Sequence, residues 1–164
     1  MKFVYRLLLF LHVFVGVGAM GGGLMAILNP ENPGGMPTDT LKYSPFSNFL
    51  IPGIILFVVI GLGNILCSLL MIYKIRSQAY ISCIVSAALV IWIIVQCIML
   101  RSIVSLHIIF FIFGAVEGVL SLLLLFQQRL FPANIIINLI EKLEKKHPKN
   151  SIFKTAGNLF RNMN

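Results

Sequence analysis

Four long apolar runs constrain this chain more than any other feature of its sequence. They cover approximately residues 3–28, 49–73, 80–100 and 106–126. Since an α-helix rises about 1.5 Å per residue, about 20 apolar residues are enough to cross the roughly 30 Å hydrocarbon core of a bilayer. Of the 164 residues, 59% are hydrophobic and only 11% are charged, which is too few charges to cover a soluble domain. The sequence therefore predicts an all-α, four-helix transmembrane bundle.

The pattern divides the chain into a transmembrane domain, residues 1–130, and an amphipathic tail, residues 131–164. In the tail, the segment from Ala133 to His147 places apolar residues at helical spacing opposite a basic polar face, with Ile136, Leu139, Ile140 and Leu143 on the apolar side. This pattern is typical of a helix that lies at a membrane surface. Pro148 is expected to end it, and Ser151 offers an N-cap for a second short helix.

The basic residues predict the orientation of the chain in the membrane. If the N-terminus is cytoplasmic, eleven Lys and Arg residues lie on the cytoplasmic side and only Lys42 and Arg101 lie outside. This is the bias expected of a multi-pass protein with both termini in the cytoplasm. In the tail, the residues assigned to contact with anionic inner-leaflet lipid or with a partner are Lys142, Lys145, Lys146, Lys149, Lys154 and Arg161. The net charge of +8 is explained by these positions, so we do not expect a nucleic-acid partner.

The first outer loop, residues 29–48, is the longest segment between apolar runs. It contains four prolines and two glycines, a composition that excludes a continuous helix and favours a series of turns. Leu41, Tyr43 and Phe46 are expected to pack back onto the helix ends or to enter the interface. A cleaved signal peptide is the alternative interpretation of the first run, but the run's apolar part is longer than the usual signal core of about 7–15 residues.

Polar residues inside the apolar runs are the candidate functional residues. Glu117 lies near the middle of the fourth run. An ionised carboxylate at that depth costs several kcal/mol, so Glu117 is expected to face the bundle, to be protonated or to have a partner. Counting residues along each run places His12 and Asn64 at a similar depth, and Gln96 further out. Two interpretations stay open: a site that relays protons or binds a cation or polar head group, or a set of interhelical hydrogen bonds.

Small residues at four-residue spacing predict where helices approach closely. Gly18 and Gly22 form such a pair in the first run, and Gly114 and Gly118 form another beside Glu117. The chain has no catalytic Ser/His/Asp set, no metal-ligand quartet and no phosphate-binding glycine loop. Its three cysteines, at 67, 83 and 97, all fall inside apolar runs and are expected to be free thiols. We therefore expect no enzyme activity, no metal and no cofactor.

The segment from Gly18 to Gly63, with Ser44-Pro45-Phe46 and Ile51-Pro52-Gly53 in it, and the later Ile91–Gln96 stretch resemble a group of small bacterial four-helix membrane proteins. That group is loosely described as DoxX-like. The resemblance implies a four-helix fold in a cell membrane and places Gln96 at the group's Gln/Glu position. It does not extend to Glu117 or to the basic tail.

Together these features predict a non-enzymatic accessory protein that binds or regulates another membrane protein, such as a sensor kinase, a transporter or a peptide machine. The alternative is a small transporter or channel subunit with a polar path around Glu117, which would need to form a homo-oligomer because four helices are few for a pore.

Overall fold

The structure, a computed structural model, describes residues 2–128, 130–131, 133–146, 155 and 157–158. The described residues contain five helices: α1 (Lys2–Leu28), α2 (Leu50–Ile72), α3 (Gln78–Leu100), α4 (Ser105–Gln127) and α5 (Ala133–Lys146). The first four are long and apolar enough to cross a membrane. The expected all-α, four-helix fold is confirmed, and each span ends within about two residues of its predicted limit. The chain is a multi-pass membrane protein.

The four spanning helices form a closed bundle in sequence order. The most extensive contacts join α1 to α2 and α3 to α4, and smaller contacts between α2 and α3 and between α1 and α4 complete it. We call the end that carries Lys2, Arg6 and Lys74 the basic end, and the opposite end, which carries residues 29–48, the loop end. The connections after α2 and α3, residues 73–77 and 101–104, are short, which makes these neighbours in sequence antiparallel neighbours in space.

Glycines allow α1 and α2 to approach backbone to backbone. A Cβ added at Gly23 would lie 2.7 Å from the Phe57 nitrogen, and one added at Gly53 would lie 2.7 Å from the Ala26 Cβ. A Cβ at Gly16 would lie 2.8 Å from the side chain of Ile65. Close contacts of this kind stabilise helix pairs in membranes because hydrocarbon supplies no hydrophobic drive between helices.

The four glycines chosen from the sequence differ in how closely they are packed. A Cβ at Gly114 would lie 2.9 Å from the side chain of Val90 on α3, so this glycine lies in a tight seam. A Cβ at Gly118 or Gly22 would make only ordinary contacts, at 3.9 and 3.5 Å, and one at Gly18 would lie 3.3 Å from Phe110. The tightest contacts of α1 are therefore at Gly16 and Gly23, one or two residues from the predicted pair.

Helix α2 is not uniform along its length. Its central segment, Leu56–Leu62, is π-helical, and ordinary α-helix resumes at Gly63. The next residue, Asn64, donates a hydrogen bond from its side-chain Nδ2 to the Ile60 carbonyl oxygen at 2.9 Å. A π-helical turn alters the ordinary hydrogen-bond ladder and often lies at a functional position. Here it immediately precedes a fully buried polar residue.

The outer loop folds back onto the loop end of the bundle. Two short 3-10 turns, Pro33–Gly35 and Thr38–Leu41, give it the expected series of turns. Leu41 is 2% exposed and belongs to an apolar cluster with Ala26, Phe49 and Met99, against which Phe46 packs. The exposed Tyr43 ring lies 3.9 Å from the Arg101 guanidinium carbon and 5.0 Å from Lys42 Nζ. Burial of Leu41 therefore anchors the loop.

Helix α5 confirms the amphipathic segment predicted between Ala133 and His147. The apolar side chain of α5 that packs onto the bundle is Ile137. Of the predicted apolar side, Ile136 and Leu139 are exposed and Ile140 and Leu143 are half-buried, which leaves them available to a membrane surface. The second tail helix, expected from Ser151, falls largely outside the described residues.

Candidate functional site

His12 is at the centre of a polar cluster inside the bundle. Its side chain is fully buried. The ring atom Nδ1 lies 2.7 Å from Asn64 Oδ1 on α2, and Nε2 lies 2.5 Å from Ser82 Oγ on α3. One imidazole therefore joins three helices at a depth where water cannot compete for its hydrogen bonds.

Two serines extend the cluster from His12 to the fourth helix. Ser82 Oγ lies 2.6 Å from Ser121 Oγ, and the Ser121 hydroxyl donates to the backbone oxygen of Glu117 at 2.6 Å. Both serines are buried, with 1% and 0% of their surface exposed. The hydrogen bonds of this cluster, which we call the central cluster (His12, Asn64, Ser82, Glu117 and Ser121), connect all four spanning helices.

The carboxylate of Glu117 faces His12. Its Oε1 atom lies 3.4 Å from His12 Nδ1, and both side chains are fully buried. Among the described residues neither carboxylate oxygen has a hydrogen-bond partner. The imidazole is therefore the group beside this acid that can carry a compensating charge, and a buried carboxylate requires such compensation.

Counting protons along these contacts gives the state of the His12 ring that satisfies all of them at once. The Asn64 amide nitrogen donates to the Ile60 carbonyl, so Asn64 Oδ1 faces the ring and Nδ1 must donate to it. The single hydroxyl proton of Ser121 goes to the Glu117 backbone oxygen, so the proton between the two serines comes from Ser82. Ser82 has then no proton for Nε2, and the ring must donate there as well.

A histidine that donates from both ring nitrogens is an imidazolium. The arrangement that satisfies every contact of the central cluster therefore has a positively charged His12, and an ionised Glu117, 3.4 Å away, would neutralise that charge. A single positive and a single negative charge leave this part of the core neutral overall. Burying such a pair costs free energy. Removing one partner strongly destabilises the fold, because the remaining charge is left without compensation.

The described residues contain no group of three or more His, Cys, Asp or Glu that could hold a metal ion. Cys67 is buried, and Cys83 and Cys97 are half-buried; all three are free thiols. The chemistry that the central cluster offers is therefore that of hydrogen bonding and of holding or moving a proton between His12 and Glu117.

Comparison of the chain with protein-family models, curated proteins and solved structures found no match. The resemblance to DoxX-like proteins therefore stays a prediction.

The structure brings together His12, Asn64 and Glu117, the three residues selected by depth. Gln96 is half-buried, takes no part in the hydrogen bonds of the central cluster, and lies about 20 Å along α3 from Ser82 at 1.5 Å per residue. Sequence reasoning missed Ser82 and Ser121. Ser121 gave a usable signal, because it is one turn from Glu117. Ser82 gave none, because it lies only four residues from the start of α3, whereas His12 lies ten residues from the start of α1.

The basic residues selected in the tail are only partly described. Lys142 and Lys145 are exposed on α5. Lys146 is the last residue of α5, and its side chain is not among those described; Lys149, Lys154 and Arg161 lie outside the described residues.

Proposed function

We propose that this chain is a non-enzymatic, multi-pass accessory protein of a bacterial cell membrane that binds and regulates another membrane protein. Its termini lie in the cytoplasm in this proposal, since the basic end of the bundle carries Lys2, Arg6, Lys74 and Arg76 and positive charge marks the cytoplasmic side.

The observation that carries the proposal is the complete enclosure of the central cluster. None of its five side chains is more than 1% exposed, and its charged pair joins α1 to α4. A substrate would have to separate the helices to reach these groups. Their position supports a role in holding the bundle in one arrangement, which leaves recognition to the outside of the protein.

One part of the outside, helix α5, is suited to recognition. Helix α5 is joined to the bundle by the buried Ile137 and by the preceding Phe131 carbonyl, which accepts a hydrogen bond from Tyr80 at 2.5 Å. It leaves Ile135 and Leu139 exposed. Because α5 is held in place and has an exposed apolar surface, it is suited to dock a partner protein.

The test is crosslinking in native membranes followed by purification in mild detergent. A photoreactive residue at Leu139 should capture one membrane protein repeatedly, and the same probe at Ile137, which is 2% exposed, should not. Removal of residues 133–164 should abolish recovery of that protein while leaving the thermal unfolding of the bundle unchanged. Capture of lipid alone at position 139 would contradict the proposal.

A second candidate function is proton-coupled transport by an oligomer. The observation that favours it is the Glu117 carboxylate, which is buried without a hydrogen bond opposite His12. In liposomes, a proton-driven flux that is lost in Glu117→Gln and retained in Gln96→Asn would support transport. A flux that Glu117→Gln leaves unchanged would remove this candidate.

A further inference from the structure

We propose that the basic end of the bundle contains a binding site for a phosphate-bearing anion, and that its ligand is the head group of an acidic phospholipid. This inference is independent of the proposed accessory role. A cavity of about 660 Å³ lies there, and its polar lining comes mainly from Lys2, Arg6, Lys74, Gln78, Gln127 and Gln128.

The charges around this cavity are of one sign. Three of its lining residues are cations and none is an acid. Within the described part of the chain, none of the three makes a salt bridge. Three like charges that line one cavity repel each other, and a bound anion relieves that repulsion. Glutamine amides in the same wall can donate hydrogen bonds to phosphate oxygens.

The backbone at Lys74 gives an independent indication. Lys74 has a φ of 53°, in the left-handed region. Its N–H donates to the Met71 oxygen, and the Ile75 N–H donates to the Leu70 oxygen, both at 2.9 Å. This is the hydrogen-bond pattern of a Schellman motif, in which the left-handed position is usually glycine. A lysine there is strained, and the strain is understandable if the ammonium group is needed at the cavity.

The position of the cavity in the membrane selects the source of the phosphate. The ends of α1, α3 and α4 and the turn after α2, which carries Lys74, contribute to the cavity, and Leu124 supplies an apolar part of its wall. Phe3 and Tyr73, the sequence neighbours of Lys2 and Lys74, are 75% and 73% exposed. Helix ends with exposed aromatic residues lie at the level of the lipid head groups, and basic pockets between helices at this level bind acidic lipids.

The test is thermal unfolding of the purified full-length chain in an uncharged detergent, monitored with a thiol-reactive dye. Cys83 and Cys97, which are half-buried, are replaced by alanine, so that reaction of the fully buried Cys67 with the dye reports unfolding. Three additions are compared: phosphatidylglycerol, phosphatidylcholine and inorganic phosphate. A ligand that binds only the folded state raises the melting temperature in proportion to its affinity. We expect phosphatidylglycerol to raise it and phosphatidylcholine to leave it unchanged.

Matched double variants separate this site from general attraction between charges. Arg6→Gln/Lys74→Gly and Lys142→Gln/Lys145→Gln remove the same charge, but only the first pair lines the cavity. With about 1 kcal/mol per basic residue, and 1.4 kcal/mol per tenfold change, each lost charge should weaken binding about fivefold. The first variant should therefore bind phosphatidylglycerol roughly 25-fold more weakly, and the α5 variant, which lowers only the general attraction to anionic lipid, should be weakened less.

Each result of these binding and unfolding measurements supports or overturns the proposed site. Equal weakening in the two variants, or equal stabilisation by both lipids, would overturn the proposed site. Equal stabilisation by inorganic phosphate would support phosphate recognition but assign the site to a soluble ligand. Because glycine is the usual residue at the left-handed position, Lys74→Gly alone should fold at least as well as the wild type, so loss of binding cannot be attributed to misfolding.

Discussion

Replacing either partner of the buried His12–Glu117 pair should destabilise the bundle, and replacing both should cost less than the sum. At 3.4 Å and an effective dielectric constant of about 20, the attraction between unit charges is about 5 kcal/mol. Desolvation offsets part of this attraction in the intact pair, whereas a single substitution leaves one buried charge uncompensated. We therefore expect Glu117→Gln and His12→Gln each to lower the free energy of unfolding by about 3–5 kcal/mol.

The measurement is a double-mutant cycle in mixed detergent micelles, with unfolding by sodium dodecyl sulfate monitored by circular dichroism. The fluorescence of the single tryptophan, Trp92, which is 7% exposed, provides a second probe of the same transition. We expect the double variant to be more stable than additivity predicts by about 1–3 kcal/mol. If the losses of unfolding free energy in the two single variants add up to the loss in the double variant within about 0.5 kcal/mol, the assignment of an ion pair is refuted.

A spectroscopic measurement on the wild-type protein tests the same reasoning without a substitution. Nitrogen-15 NMR of labelled histidine distinguishes an imidazolium, whose two nitrogens both carry protons, from a neutral ring, whose nitrogens are inequivalent. A neutral His12 ring would contradict the proton count, because Ser82 and Ser121 would then lack one of the hydrogen bonds that the structure describes.

Three further predictions concern packing and the loop. Gly23→Ala should lower the free energy of unfolding by about 1–3 kcal/mol, because the new methyl group would lie 2.7 Å from the Phe57 nitrogen. Gly21→Ala is the control, since a Cβ there would have no atom within 4 Å. In the same unfolding assay it should be neutral or slightly stabilising. Leu41→Ala should cost about 2–5 kcal/mol and accelerate proteolysis of the outer loop. Arg101→Gln should remove a cation–π contact worth about 0.5–1 kcal/mol, measured as a small loss of thermal stability.

The depth of the polar residues could be predicted from the sequence, but their connections could not. Position along an apolar run gives height in the membrane, because each helical residue advances by the same rise. His12, Asn64 and Glu117 were selected in this way. Gln96 was selected from its polarity and a resemblance, and the structure places it apart from the central cluster. Ser82 and Ser121 were missed because serine is common in membrane helices and only its direction shows what it bonds.

The amino-acid sequence by itself determined how many times the chain crosses the membrane, where each helix begins and ends, and that a polar layer lies near the middle. These properties follow from the summed hydropathy of each segment, which does not depend on the helices that surround it. The rotation of each helix about its axis was decided only by tertiary structure. Lipid and protein interior are equally apolar, so the periodicity that orients a helix in a soluble protein is nearly absent here. Close contact at Gly16 and Gly23, the π-helical turn before Asn64 and the meeting of His12 with Glu117 all depend on that rotation.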